Sequence, residues 1–314
     1  MIIGHQRQIA YFNQVMRRGK LAHAYLFYGP EHAGKFTAAK ALAKFFYCEG
    51  RPAGLDKICE ECLNCRRVEV NSHPGVAVLD TENTLVSKKE KRRDIPIEDI
   101  RELKRRLSLS AEGNQWRVVI VNEAERLSED GADAFLKILE EPGEKILMIL
   151  VTSSRELLLP TIISRTQPIR FSTLPDRELL GLVERTVKDP KKQELILSIA
   201  AGRPGIVQRL VNEKDYLKQE LKFLKEIDAV LKEQAVPEAL VFSEQVVSED
   251  GLRQRAMEYI LRILRKDLLD EAKRENAVPF MLRLKRVLEI AEIMDTTNVN
   301  PRLAMDNIFL EAMN

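Results

Sequence analysis

No stretch of this chain approaches the roughly 20 consecutive apolar residues that a membrane-spanning helix requires. Its first residues, Met1-Ile2-Ile3-Gly4-His5-Gln6, lack the charged-then-apolar order of a secretion signal. The expectation is a cytoplasmic protein with no membrane partner. Neither sign of charge predominates: 50 Lys and Arg stand against 48 Asp and Glu, a formal net charge of +2. No global field is available to hold a polyanion, so any nucleic-acid contact has to come from a local patch. Cysteine is scarce, with four in 314 residues, and in a reducing compartment these do not read as a disulfide framework. The length exceeds what one small core organises and suits two or three domains.

The cysteines that are present fall in one short segment: Cys48, then Cys59-x-x-Cys62-x-x-Cys65. Four thiolates complete a tetrahedral zinc site unaided, and two-residue spacers let successive sulfurs converge on one ion. Such a Zn²⁺ site has no position left for water, which makes it structural rather than catalytic. The competing reading is a metal-free set of buried thiols. His73 is close enough in sequence to replace a ligand, though the set is complete without it.

A second motif lies upstream. Gly29-Pro30-Glu31-His32-Ala33-Gly34-Lys35-Phe36 follows the strand-like residues 24–28 and opens a helical run over 37–46. This is the phosphate-loop spacing G-x-x-x-x-G-K, in which backbone N–H groups and the lysine hold phosphates while a following Ser or Thr holds Mg²⁺. Phe36 occupies the hydroxyl position and can do none of that work. The companion acidic strand end reads Val118-Val119-Ile120-Val121-Asn122-Glu123. Asn122 keeps the shape of the expected aspartate without its charge, and Glu123 is left to polarise water beside a metal it cannot help to hold. Two losses on one ion argue against ATP hydrolysis by this chain. Binding of ATP or ADP stays open, because Gly29, Gly34 and Lys35 remain, although His32 and Glu31 add bulk and negative charge to the loop.

Periodicity extends the picture. A helix is expected over 4–18, strands over 75–79, 117–122, 146–152 and 168–171, and helices from residue 96 or 97 to 107 and over 129–141, the last capped by Ser128 and stopped by Pro142-Gly143. The runs over 117–122 and 146–152 are of the buried kind, apolar along their length, as a parallel sheet covered on both faces requires. A turn is expected over 160–164. Beyond residue 171 the pattern is wholly helical: 174–187, 193–201 and a third run to about 212, then a long amphipathic helix from Leu217 and further helices over 252–269, 279–294 and 301–313. The fold class is therefore α/β plus all-α. Lys88-Lys89-Glu90-Lys91-Arg92-Arg93 reads first as a solvated loop and second as a DNA contact. Arg165, in Ser164-Arg165-Thr166, admits two readings: an ordinary surface charge, which is the simpler, or a planar fork presented to a phosphate held by another subunit.

Taken together, these residues resemble the AAA+ clamp-loader family of bacterial replication. The likeness runs through His23-Ala24-Tyr25-Leu26-Phe27, Gly29-Pro30, the four-cysteine insertion, His73-Pro74-Gly75 and Ile100-Arg101-Glu102-Leu103. It continues through Leu139-Glu140-Glu141-Pro142, Leu159-Pro160-Thr161-Ile162, Ser164-Arg165 and Asn300-Pro301-Arg302-Leu303. The resemblance implies an AAA+ phosphate-loop sheet domain over 1–172 with a zinc module at about 48–65, a helical lid over 173–212 and a helical collar over 213–314 that joins a five-membered ring. For members with a damaged phosphate loop it implies a stator that does not hydrolyse ATP. Arg165, with Ser164, would then enter the ATP site of a neighbouring gamma or tau subunit. The delta subunit, the sliding clamp and primed DNA are the further implied partners. Thr166 stands where the family usually has cysteine, and Gly205 where active relatives carry a nucleotide-sensing arginine, for which Arg203 is a candidate substitute. Two rival expectations are an active ATPase of the gamma/tau kind and a zinc-dependent nucleic-acid-binding protein using residues 88–93.

Overall fold

Strands whose side chains are apolar on both faces can be satisfied only by a sheet buried between two layers. The computed structural model, which describes residues 2–83, 85–86, 92–109, 115–233, 236–248, 252–272, 277–297 and 299–313, forms that sheet in the first of two units, Met1–Asn212 and Glu213–Asn314. The strands are β1 (Ala24–Tyr28), β2 (Val76–Leu79), β3 (Arg117–Val121), β4 (Ile146–Thr152) and β5 (Gln167–Arg170). All pair in parallel, in the order β2-β3-β4-β1-β5. Strand β4 is buried along its whole length, while β5 is an edge strand that tolerates Pro168, which has no N–H to give.

Alternation along β1 divides the core. Tyr25 and Phe27 enter one apolar cluster with α1 (Gln6–Arg17) and α2 (Lys35–Tyr47). Ala24 and Leu26 enter the other with α4 (Ile97–Leu109) and α5 (Glu129–Glu140), α3 (Leu63–Glu69) lying earlier in the chain. The cap expected at Ser128 is present: its side chain accepts from Gly131 N. Residues 160–164 form a short helix, α6 (Pro160–Ser164), rather than a turn, with Pro160 in its first turn. Helix α3 starts in the cysteine segment and runs past Cys65, and its seven residues are too few to show a periodicity.

The first unit ends in α7 (Asp176–Glu184), α8 (Pro190–Ala200) and α9 (Pro204–Asn212). The second is made of α10 (Lys214–Glu233), α11 (Val236–Ser248), α12 (Leu252–Ala272), α13 (Ala277–Thr296) and α14 (Pro301–Met313). Helix α11 has no counterpart in the periodicity reading. Its buried Ala239, Phe242 and Val246 share a face, but Val241 points outward at 69% exposure and blurs the stripe. Phe242 packs on Phe223 and Phe309, with ring centroids 5.9 and 5.7 Å away. Glu220, 1% exposed, accepts from Tyr259 Oη at 2.5 Å and pairs with Arg255. Helix α13 leaves Val278, Met281, Leu282, Leu288 and Ile293 exposed. No helix among the described residues is long and apolar enough to cross a membrane.

Candidate functional site

The carboxyl edge of the sheet carries the phosphate loop. Gly29 leaves β1 with φ 141°, and a Cβ there would lie 1.9 Å from the Phe171 carbonyl oxygen, so only glycine fits. His32 and Gly34 also have positive φ, 58° and 97°, which turns the chain into α2. Lys35 sits at the first position of that helix, 7% exposed, and its Nζ donates to the carbonyls of Gly29 (2.7 Å) and Pro30 (2.6 Å). Burial lowers its pKa to about 8 against the opposing pull of Glu125 and Glu31. The lysine thus satisfies the loop's own backbone.

Two further contacts hold the loop. His5 Nε2 donates to the Ala33 carbonyl at 2.7 Å, its ring edge-on to Phe171 with centroids 4.8 Å apart. Gly205 N, in the first turn of α9, donates to the His32 carbonyl at 3.0 Å. A Cβ at residue 205 would lie 3.1 Å from the same carbonyl oxygen, so a larger residue there would push the loop back by a few tenths of an ångström. Burial, then the charges of Arg209, Arg203 and Lys35, push the His32 pKa down to about 4. Arg203, 8% exposed, donates its Nε to the Ala200 carbonyl at 3.1 Å. Phe36 packs against the apolar cluster beneath α2 and lies 4.7 Å under Lys40 Nζ, with no oxygen to offer a cation.

Beside the loop, Asn122 follows β3 and donates its N–H to the Leu79 carbonyl at 2.8 Å. Glu123 has φ 53°, and its carboxylate accepts from Thr81 Oγ1 at 2.9 Å. Glu125 accepts from Ser153 N (3.1 Å) and Ser153 Oγ (2.7 Å), while its other oxygen is buried without a partner. Strand pairing sets Tyr28 of β1 opposite Thr152 of β4, which brings Ser153 to this edge. His5, Thr81, Glu125 and Ser153 are members of the site that pattern reading passes over. For Thr81 and Ser153 the available signal is position, a hydroxyl just past the end of an apolar strand.

The cysteine segment converges as its spacing predicts. The sulfurs of Cys48, Cys59, Cys62 and Cys65 all lie within 4.8 Å of one another, with Cys48–Cys59 at 3.4 Å and Cys59–Cys65 at 3.9 Å. Sulfurs at about 2.3 Å from a tetrahedral zinc stand about 3.8 Å apart, so the donor set fits that ion. Cys62 N donates to Cys59 Sγ (3.5 Å) and Cys65 N to Cys62 Sγ (3.4 Å), contacts that favour thiolates. The N–H groups of Cys62 and Glu61 hold Cys59 down to about 6, whereas burial raises Cys65. His73 stays apart: its Nδ1 accepts from Gly75 N at 3.1 Å and its ring packs, tilted, against Tyr47 with centroids 4.1 Å apart.

Arg165 caps the carboxyl end of α6 on the surface, its side chain 37% exposed. Its Nη2 pairs with Glu140 Oε1 at 2.7 Å, and its Nη1 donates to the Thr161 carbonyl at 3.2 Å and lies 3.5 Å from Ser164 Oγ. Of the basic run, residues 88–91 lie outside the described residues. Arg92 is 3.9 Å from the fully buried Asp99, whose carboxylate also accepts from Leu85 N and Val86 N.

The family model for DNA polymerase III, delta subunit, matches residues 4–175. The gamma/tau subunit of DNA polymerase III from Mycobacterium tuberculosis (strain ATCC 25618 / H37Rv) is 30% identical over 210 residues, covering 65% of this chain and 34% of the relative. The delta' subunit from Bacillus subtilis is 31% identical over 173 residues, 55% of this chain and 49% of that protein. The delta' subunit from Pseudomonas aeruginosa is 29% identical over 263 residues, 83% and 77% respectively. The chain therefore spans less than two thirds of the first two relatives' length.

Proposed function

Because the chain belongs to the DNA polymerase III delta subunit family, we propose that it works in a bacterial clamp loader as a delta-prime-type stator, supplying Arg165 to a nucleotide bound by a neighbouring gamma or tau subunit. The observation that carries this reading is Lys35 bonded to the carbonyls of its own loop, beside Phe36 and Asn122. A loop so arranged lacks the hydroxyl and the carboxylate charge through which Mg²⁺ would be held and has its lysine turned inward. Arg165, by contrast, stands on the surface with Ser164 beside it. In trans its planar guanidinium would neutralise charge developing on a γ-phosphate, coupling hydrolysis there to release of the sliding clamp on primed DNA.

Zinc held by Cys48, Cys59, Cys62 and Cys65 would cross-link the module over about 48–65 and supply no chemistry to the reaction. Residues 1–172, 173–212 and 213–314 correspond in this reading to the AAA+ domain, the lid and the collar, the exposed apolar residues of α13 facing partner subunits.

Replacing Arg165 by alanine tests the finger. The variant should fold and join the gamma/tau and delta subunits, while hydrolysis at the site it faces falls about a thousandfold or more. Unchanged DNA-stimulated ATPase in an intact assembly would refute the role. The gamma/tau relatives favour a second reading, an active ATPase; measurable turnover by the isolated chain would decide for it.

A further inference from the structure

We propose that Glu140 is a positioning residue for Arg165: it holds the guanidinium against the chain's own surface and releases it when a phosphate of a neighbour's nucleotide competes. The release step rests on the finger reading above, whereas the latch is a property of this chain alone. Helix α5 ends at Glu140 and α6 at Ser164, so two helix carboxyl termini, each carrying partial negative charge, converge where the arginine lies. Glu140 Oε1 accepts from Nη2 at 2.7 Å, and the Thr161 carbonyl accepts from Nη1 at 3.2 Å. Both Nη atoms are thereby engaged. They form the edge through which a guanidinium grips two oxygens of one phosphate, and a carboxylate on that edge both blocks the grip and repels the phosphate.

Exchange is nevertheless inexpensive. The two side chains are 37% and 50% exposed, so the pair is a solvent-screened one of modest strength. Glu140 also lines a surface cleft of 350 Å³ with Lys104 and Lys137, which leaves cations close to a carboxylate that has lost its arginine. The geometry describes a finger kept in place until the neighbour's nucleotide draws it out, with a threshold set by one weak ion pair.

Two measurements test this. In the isolated chain, Glu140→Gln and Glu140→Ala should each raise labelling of Arg165 by an arginine-selective dicarbonyl about two- to fivefold, while other exposed arginines label as before. Unchanged labelling in both variants overturns the latch. In the assembly with gamma/tau and delta, Glu140→Gln should lower KM for ATP by a similar factor, more than it changes kcat, and the shift should vanish on an Arg165→Ala background. A fall in kcat that parallels Arg165→Ala would mean that Glu140 aims the finger rather than restraining it, and overturns the exchange. If Arg165→Ala leaves the assembly's ATPase unchanged, the finger reading fails and the exchange with it, while labelling of the isolated chain still decides the latch.

Discussion

Removing metal from the four-cysteine module should unfold that module and leave the sheet standing. In the segment and the helix that leaves it, the well-buried aliphatic anchors are Leu55, 6% exposed, and Val68, 0% exposed. Their burial contributes about 1.5–3 kcal/mol each. Helix α3, with seven residues, is far shorter than a helix that stands alone in water. A structural zinc contributes about 10–16 kcal/mol of apparent binding free energy at neutral pH. The ion therefore outweighs the packing severalfold, and the module should not hold its shape without it. Cys59 is exposed and Cys62 partly so, which lets a chelator reach the site. The expected result is a single zinc released by chelator in the presence of a thiol reagent. Amide exchange should then accelerate at Cys62 and Cys65, whose N–H groups point at sulfur, and stay slow in β1 and β4. Cys62→Ser should mimic chelation. Purification without metal, or unchanged exchange at those two amides after metal removal, would refute the reasoning.

Four other outcomes are expected. Gly29→Ala places a methyl 1.9 Å from a backbone oxygen at φ 141°, so thermal or denaturant unfolding should show a loss of about 3 kcal/mol or more. Lys35 should titrate near pH 8, read as its acylation rate against pH by peptide mass spectrometry. The unfolded chain keeps that proton up to about 10.5 while the folded chain has lost it, so this group's contribution to stability grows as pH rises from about 8 to 10.5. On the acid side, His32 resists protonation down to about 4, and stability should fall as pH drops below the ordinary histidine value of 6.5. In the second unit, Glu220→Ala strips a buried carboxylate from Arg255 and Tyr259 and should cost about 3 kcal/mol in denaturant unfolding, whereas a conservative change at exposed Glu226 should cost little.

Features that depend on near neighbours are readable in the order of residues alone. The phosphate-loop spacing, the substitutions Phe36 and Asn122, and the cysteine set are each complete within a short segment, where bond lengths alone bring the groups together. The apolar strands were legible too, because a sheet buried on both faces has no polar positions to disguise it. Helices α3 and α11 were not, the first too short for a period and the second with Val241 on its outer face. What the site residues touch follows from how the elements pack. Thr81 meets Glu123 across 42 residues and Arg165 meets Glu140 across 25. Those meetings follow from β2 pairing in parallel with β3, whose ends lead into Thr81 and Glu123, and from two helices ending at one place. The motif leaves nucleotide binding open, and its spacing does not reveal that Lys35 bonds the carbonyls of Gly29 and Pro30. Hydrophobic periodicity specifies which face of an element is buried. It carries no information on which distant polar group that burial brings within hydrogen-bonding range, and this pairing sets the charge, reach and partner of each functional side chain.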